Sequence, residues 1–242
     1  MIKKTIHYLT KVENTNPTWI SFFINDYYLI RKGLYKAVQM EAINFEGLLL
    51  DFGCGTRPYE KFFTNVNKYV GLDIEIDGWE ERQRFADVFY DGKKIPFEEN
   101  TFDSLISIEV LEHVFNIEEV LQEINRVLKV GGKAIITTPF MWEEHEMPYD
   151  FARYTTPGLI HLYEKNNFKI LRHQKNGNNI MVISQFIISY IKSLLPKNKW
   201  INHIFLIPFI VLFNTFAIVL STLLPGDKTM YFNNIFIIEK NQ

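Results

Sequence analysis

Four acids, a glycine pair and two histidines stand where their types and spacing could do chemistry. Asp51 lies just before Gly53-Cys54-Gly55, at the end of the apolar run Leu48-Leu49-Leu50. Glycines there allow positive φ and let a ligand approach the backbone closely. A phosphate cradle has no use for an anion beside it. A cationic ligand, or one carrying an ammonium group, does. Asp73 ends a second apolar run, Tyr69-Val70-Gly71-Leu72, 20 residues after Gly53. That is where a doubly wound sheet offers a carboxylate to ribose hydroxyls. Glu109, Glu112 and His113 share one face if they sit on a helical turn. Two carboxylates and an imidazole so placed could bind a divalent cation; without one, His113 is left as a base or as a group that orients its loop. His145 lies in the polar stretch Met141–Asp150. A hydroxyl acceptor needs a group to take its proton, and His113 and His145 are the catalytic candidates. Trp142, Tyr149, Arg153 and Tyr154 could line an acceptor pocket, or serve as ordinary loop packing with Arg153 paired to Asp150.

These residues need a frame that brings them to one edge. The run at 48–51 reads as a strand covered on both faces, followed by the glycine turn and a helix with Pro58 in its first turn. Further strands are expected at Tyr69–Asp73, weakly at Arg84–Val88, at Leu105–Ile108, at Ala134–Pro139, at Phe168–Arg172 and at Tyr231–Ile238. The polar stretch Ile74–Arg82 leaves only a turn for one crossover. Asn116 is expected to cap a helix whose apolar face is Ile117, Val120, Leu121, Ile124, Val127 and Leu128, with Gly131-Gly132 closing it. Thr155 or Thr156 caps a later helix with Pro157 in its first turn. A single helix is expected across Phe22–Ala42. Strands joined by crossovers imply a parallel sheet with ligands at its C-terminal edge.

The stretch Asp51-Phe-Gly53-Cys-Gly55 resembles the first motif of the class I S-adenosylmethionine (SAM)-dependent methyltransferases. The resemblance runs from about Phe45 to Phe168, with a weaker match near Met230–Lys240. It implies an α/β fold: a doubly wound, seven-stranded, mostly parallel sheet, Rossmann-like, with the last strand antiparallel. It implies SAM as cofactor, with Asp51, Gly53, Gly55, Asp73, Asp87, Val88 and Glu109 as binding residues. In that family the position of Asp87 contacts the adenine, and the segment Ser107–Val114 floors the methionine part. One departure is the replacement of the motif's third small residue by Arg57-Pro58, so the backbone turns differently there. The Glu-x-x-Glu-His run at 109–113 is similar to that of metal-dependent O-methyltransferases of ubiquinone biosynthesis and of small-RNA 3′-end 2′-O-methyltransferases. Similar turns occur in metal-free relatives, so a divalent cation is not favoured and no metal ligand is assigned.

Composition bounds the rest. The chain has 242 residues and a net charge of −2, so no basic field draws it to nucleic acid. Its single cysteine, Cys54, excludes an internal disulfide and a cysteine-based zinc site, and reads as a small packing residue. Met1–His7 has no continuous apolar core and reads as no signal peptide, which points to the cytoplasm or its membrane face. Residues 1–44 are expected to form an N-terminal helical cap, 45–178 the SAM-binding core, 179–226 an apolar helical insertion, and 227–242 the last strand. Within the insertion Ile180–Leu195 reads as a helix ended by Pro196. Ile204–Leu224 carries no charge and is long enough to cross a bilayer at ~1.5 Å per residue. A monotopic arrangement in the membrane interface is preferred, with Asn214, Thr215, Ser221 and Thr222 as a polar stripe and Lys197, Lys199 and Trp200 among headgroups. The alternative is a buried helix pair that makes a homodimer or covers the acceptor.

The reading is a SAM-dependent methyltransferase acting on a small-molecule or lipid-linked acceptor, at a hydroxyl oxygen. A polyprenyl-linked sugar, a quinone precursor or a lipid headgroup fits that description. The alternatives are a non-catalytic membrane-associated scaffold of the same fold and a nucleotide-cofactor oxidoreductase.

Overall fold

The structure is a computed structural model that describes residues 17–75, 84–196 and 198–242. The expectations for Met1–His7 and Lys197, for the side chains of Lys199 and Trp200, and for most of the 74–82 turn lie outside the described residues. In chain order the elements are α1 (Ser21–Ile24), α2 (Tyr28–Ala42), β1 (Gly47–Phe52), β2 (Val66–Ile74), β3 (Val88–Tyr90), β4 (Phe102–Ile108), α3 (Ile117–Val127), β5 (Leu128–Pro139), α4 (Thr156–Lys165), β6 (Phe168–Asn176), α5 (Asn179–Leu194), α6 (Lys199–Leu223) and β7 (Asn233–Lys240). Short 3₁₀ turns lie at Glu60–Phe62 and Leu111–His113.

The seven strands form one sheet in the order β3-β2-β1-β4-β5-β7-β6. β1 pairs in parallel with β2 and β4, and β4 with β5, while β7 runs antiparallel to β5. Leu49, Leu50 and Phe52 of β1 are fully buried, as a strand covered on both faces requires. The apolar seam of α3, from Ile117 to Val127, packs into the core formed by β1, β4 and β5. This unit comprises residues 37–174 and 233–242.

Several local expectations are corrected. The glycine turn leads into the 3₁₀ turn Glu60–Phe62 and not into an α-helix; Arg57, at φ 52°, already turns the chain out of helical geometry. Asn116 occupies the cap position of α3, but its amide donates to the Glu119 carboxylate and caps no backbone N–H. Gly131-Gly132 do not close α3. That helix ends at Val127, Leu128 is already extended, and both glycines lie within β5. At Gly132 a Cβ would meet the Lys129 carbonyl at 2.8 Å, so the residue serves close backbone packing. Thr155 does cap α4, accepting from the Gly158 N–H, with Pro157 in the first turn.

The described residues of the second unit, 17–36, 175–196 and 198–232, are mainly helical. The single helix expected across 22–42 is broken at Asn25, whose backbone is extended and whose side chain accepts from the Tyr27 N–H at 2.7 Å. α5 and α6 pack on each other through Ile188, Leu206 and Ile210. The polar stripe expected on α6 is split. Thr215 and Thr222 are exposed, whereas Asn214 is buried and donates to the Phe22 carbonyl at 2.9 Å, and Ser221, half-buried, donates to Asn178. Also facing out are Phe205, Phe209, Leu212, Phe216, Val219 and Leu223, at alternating spacings of four and three. Within Ile201–Leu223 the most apolar window has a mean hydropathy of 2.5, and only 22% of it is buried. The apolar side of this helix is therefore its outer one, the inverse of a surface helix in water.

Candidate active site

The C-terminal ends of β1, β2 and β4 surround a cavity of about 90 Å³. Gly53, Asp73, Glu109 and His113 line it, together with Tyr149 and Glu146 from the loop after β5. Three of the expected binding residues, Gly53, Asp73 and Glu109, thus meet at one cavity with one expected base.

Each is held by identifiable contacts. Gly53 sits at φ 75°, and a Cβ there would meet the Val110 side chain at 2.5 Å, so the turn accepts only glycine without rearrangement. Asp73 Oδ2 accepts from the Gly55 N–H at 3.0 Å and Oδ1 from the Ile74 N–H at 2.9 Å. The carboxylate is thereby tied across the turn that precedes the cavity. Glu109 has left-handed backbone, φ 56°, an uncommon state for a non-glycine residue. Its N–H donates to the Thr137 carbonyl. Its carboxylate accepts from Thr137 Oγ1 at 2.6 Å and from Asn233 Nδ2 at 2.5 Å.

Other expected residues lie elsewhere. Asp51 is 5% exposed, and the Tyr69 hydroxyl donates to it at 2.6 Å. Burial drives its pKa up to about 7, against the pull of that hydrogen bond. It sits behind the turn, outside the cavity lining. Cys54 is buried, and its thiol is pushed up to about 12 by desolvation and by Asp51, as befits a packing residue. Asp87 accepts from the Arg57 guanidinium and from the Gly71 N–H at 2.9 Å. A Cβ at Gly71 would meet Arg57 Nε at 2.6 Å. Gly71 therefore makes the room that lets Arg57 replace the motif's usual small residue. Val88 begins β3 and pairs with Leu72.

The histidines come together. The His113 and His145 rings lie 4.9 Å apart in an edge-on contact. His113 Nδ1 is 2.9 Å from the Tyr149 carbonyl, which can only accept, so Nδ1 carries the proton and the neutral ring keeps Nε2 as its basic nitrogen. Burial lowers the His113 pKa, opposed by the Tyr149 carbonyl and Glu146. His145 Nδ1 lies 3.2 Å from Asp150 Oδ2. Asp150 is in turn gripped by both terminal nitrogens of Arg153, at 2.5 and 2.6 Å, which hold it down at about 2. Arg153 thus spends its charge on Asp150. Of the four residues proposed for an acceptor pocket, Tyr149 is the one on the cavity.

Glu112 does not share a solvent face with Glu109 and His113. The segment is a 3₁₀ turn that places Glu112 wholly inside. Both its carboxyl oxygens have no hydrogen-bond partner among the described residues. Desolvation, then the nearby Glu109, raise its pKa well above the usual range. One ligand atom each from Glu112, His113 and His145 lie within 4.8 Å of one another, a spacing that a divalent cation could bridge.

The donor set tests which ligand fits. The cavity lining carries three carboxylates, Asp73, Glu109 and Glu146, and no lysine or arginine. This suits a sulfonium amino acid with a ribose diol and opposes a pyrophosphate. Residues missed by sequence reasoning are the supports: Thr137, Asn233 and Tyr69. The signal for the first two was present, since Thr137 and Asn233 are polar residues in apolar strands and must find partners when buried.

Comparison with known proteins agrees with this architecture. A model of the methyltransferase domain matches residues 50–136. An uncharacterised protein of Methanocaldococcus jannaschii is 34% identical over 166 residues, covering 64% of this chain and 70% of that one. A sterol 4-C-methyltransferase of Caenorhabditis elegans is 48% identical over 98 residues, which cover 36% of this chain and 29% of that protein. Among solved structures, the [4+2]-cyclase SpnF superposes with a TM-score of 0.57 at 17% identity, covering 87% of this chain and 82% of that one. The chain belongs to the class I SAM-dependent methyltransferases, with the seven-stranded sheet of that family.

Proposed function

We propose that the chain transfers the sulfonium methyl of SAM to a hydroxyl oxygen of a small-molecule or lipid-linked acceptor at a membrane surface. The observation that carries the oxygen reading is His113: one ring nitrogen is committed to a backbone carbonyl and the other remains basic, on the wall of the acid-lined cavity. When bound, the cofactor supplies an already activated methyl group, so the protein's work is positioning and the exclusion of water. Asp73 would accept from the ribose hydroxyls, with Gly53 and Gly55 letting the backbone approach. Glu109, fixed by Thr137 and Asn233, would hold the ammonium end, with Asp51 behind the turn adding negative potential once ionised. Asp87 and Val88, off the cavity lining, would hold the adenine. The acceptor hydroxyl would give its proton to His113 Nε2, with His145 beside the ring, as its oxygen takes the methyl that bound SAM would supply.

The membrane reading is supported by the outward apolar stripe of α6. An apolar face of that extent marks an interaction surface, and its periodicity suits an interfacial helix. Homodimer formation through the same stripe is the competing use. On this reading the protein is cytoplasmic and monotopic.

The test is incubation with methyl-labelled SAM and candidate acceptors: a catechol quinone precursor, a polyprenyl-phosphate sugar and a total lipid extract. Label recovered as an acid-stable methyl ether in the organic phase supports the reading. Label found only on nitrogen or carbon overturns the oxygen assignment.

A further inference from the structure

We propose that the helical unit holds a phosphate-recognising cavity that takes the headgroup of an anionic lipid. The inference rests on the membrane reading above and deepens it. The cavity has a volume of about 460 Å³ and lies within the helical unit, far in sequence from the acid-lined cleft. Lys32 and Lys36 of α2 and Lys228 from the segment before β7 line it, and no aspartate or glutamate does. Tyr28, Lys32 and Lys36 follow one another at intervals of four, so they share one face of α2. None of the three lysines forms an ion pair among the described residues. Lys32 donates to the Tyr28 hydroxyl at 2.7 Å, which leaves its ammonium two further donors. Three ammonium groups without counter-charge around one hollow form an anion site by composition.

The opposite wall adds neutral donors and direction. Asn178 caps α5, a helix of 16 residues with no acid in its first turn. The positive end of that helix therefore borders the same hollow. Ser221 and Thr222 contribute hydroxyls from α6.

The choice of a lipid over a soluble phosphate comes from α6 itself. Ile218 and Thr222 line the hollow, while their neighbours Val219 and Leu223 belong to the exposed apolar stripe. A phosphate seated among the lysines would have its acyl chains against that stripe. Charge on one side and apolar surface on the other match the two ends of an anionic lipid.

Vesicle flotation tests this, with phosphatidylcholine alone and with an equal mixture of phosphatidylcholine and phosphatidylglycerol. The wild-type chain is expected to bind both and to prefer the mixture. A lysine near an anionic surface is worth about fivefold in binding. The triple variant Lys32→Gln, Lys36→Gln, Lys228→Gln should therefore lose on the order of a hundredfold on the mixture and nothing on phosphatidylcholine. A Lys→Arg triple should retain the preference. A control triple in the sheet unit, Lys68→Gln, Lys93→Gln, Lys169→Gln, should stay within about threefold of wild type, because surface charges outside the contact act weakly through salt. Equal losses in the two glutamine triples, or no loss in the first, overturn the headgroup site while leaving membrane binding intact. Lysine-dependent binding of inorganic phosphate without any preference for the anionic vesicles makes the hollow a soluble-phosphate site and also overturns it. Absence of binding to either vesicle instead removes the membrane reading itself.

Discussion

Replacing Asp51 by asparagine isolates the cost of burying a charge behind the cofactor turn. Asp51 is almost wholly enclosed, and desolvation lifts its pKa from 3.8 to about 7 even though the Tyr69 hydroxyl donates to it. Below about pH 4 the carboxyl is neutral in the folded and unfolded chains alike and costs nothing. Between about 4 and 7 the unfolded chain has released the proton and the folded chain still holds it. The folded state then binds more protons, so its stability falls as pH rises. Above about 7 both forms are ionised and the loss is complete, at about 4 kcal/mol in all. Between pH 5 and pH 8 the portion lost is about 2.5 kcal/mol. Asparagine keeps an acceptor for Tyr69 and cannot ionise. Urea titrations of both proteins at those two pH values, followed by tryptophan fluorescence, give the difference directly and cancel every other titrating group. The advantage of Asp51→Asn over wild type should grow by about 2.5 kcal/mol on going from pH 5 to pH 8. A difference that stays constant would mean that Asp51 ionises as in water, and the burial argument would fail.

Further outcomes follow from the supports of the site. His113→Ala should lower turnover by about a hundredfold or more, the usual share of a general base, with SAM affinity nearly unchanged. Because burial lowers the His113 pKa, wild-type kcat/KM should rise with pH through a midpoint below the histidine norm of 6.5; a midpoint above it would contradict the assignment. Asn233→Leu removes the Asn233 donor from Glu109 and should weaken SAM binding by about tenfold to a hundredfold, the worth of a hydrogen bond to a charged group; calorimetry with an unchanged constant would remove Glu109 from the ammonium role. EDTA treatment should leave turnover intact, whereas activity lost to EDTA and restored by a divalent ion would make Glu112, His113 and His145 its ligands.

Much of the sheet was legible because it depends on runs of apolar residues bounded by turns. Leu48-Leu49-Leu50 and Ala134-Ile135-Ile136 marked central strands, and the return of the last strand was read from a single apolar segment near the C-terminus. Asp73 and His113 were found for a similar reason: each lies where a strand ends, and strand ends define the ligand edge. Contacts between distant segments were not legible. Nothing in the order of residues says that Asn233 reaches Glu109, or that Gly71 makes room for Arg57. The split of the polar stripe on α6 was not legible either: Thr215 and Thr222 stay exposed, yet Asn214 finds a carbonyl inside. Composition gave the helix, and only packing decides which side is buried. Glu112 illustrates the same gap: three residues were expected on one helical face, but a 3₁₀ turn sends one of them into the core.

The fold alone does not settle chemistry, since a cyclase shares it. The most direct test is isothermal titration of SAM into the purified chain and into Asp73→Ala. Saturable one-to-one binding, weakened at least tenfold by the substitution as the loss of a charged hydrogen bond requires, is the predicted result. An intact, folded protein that takes up no SAM, or an Asp73→Ala variant that binds as well as wild type, would contradict the assignment of this acid-lined cleft.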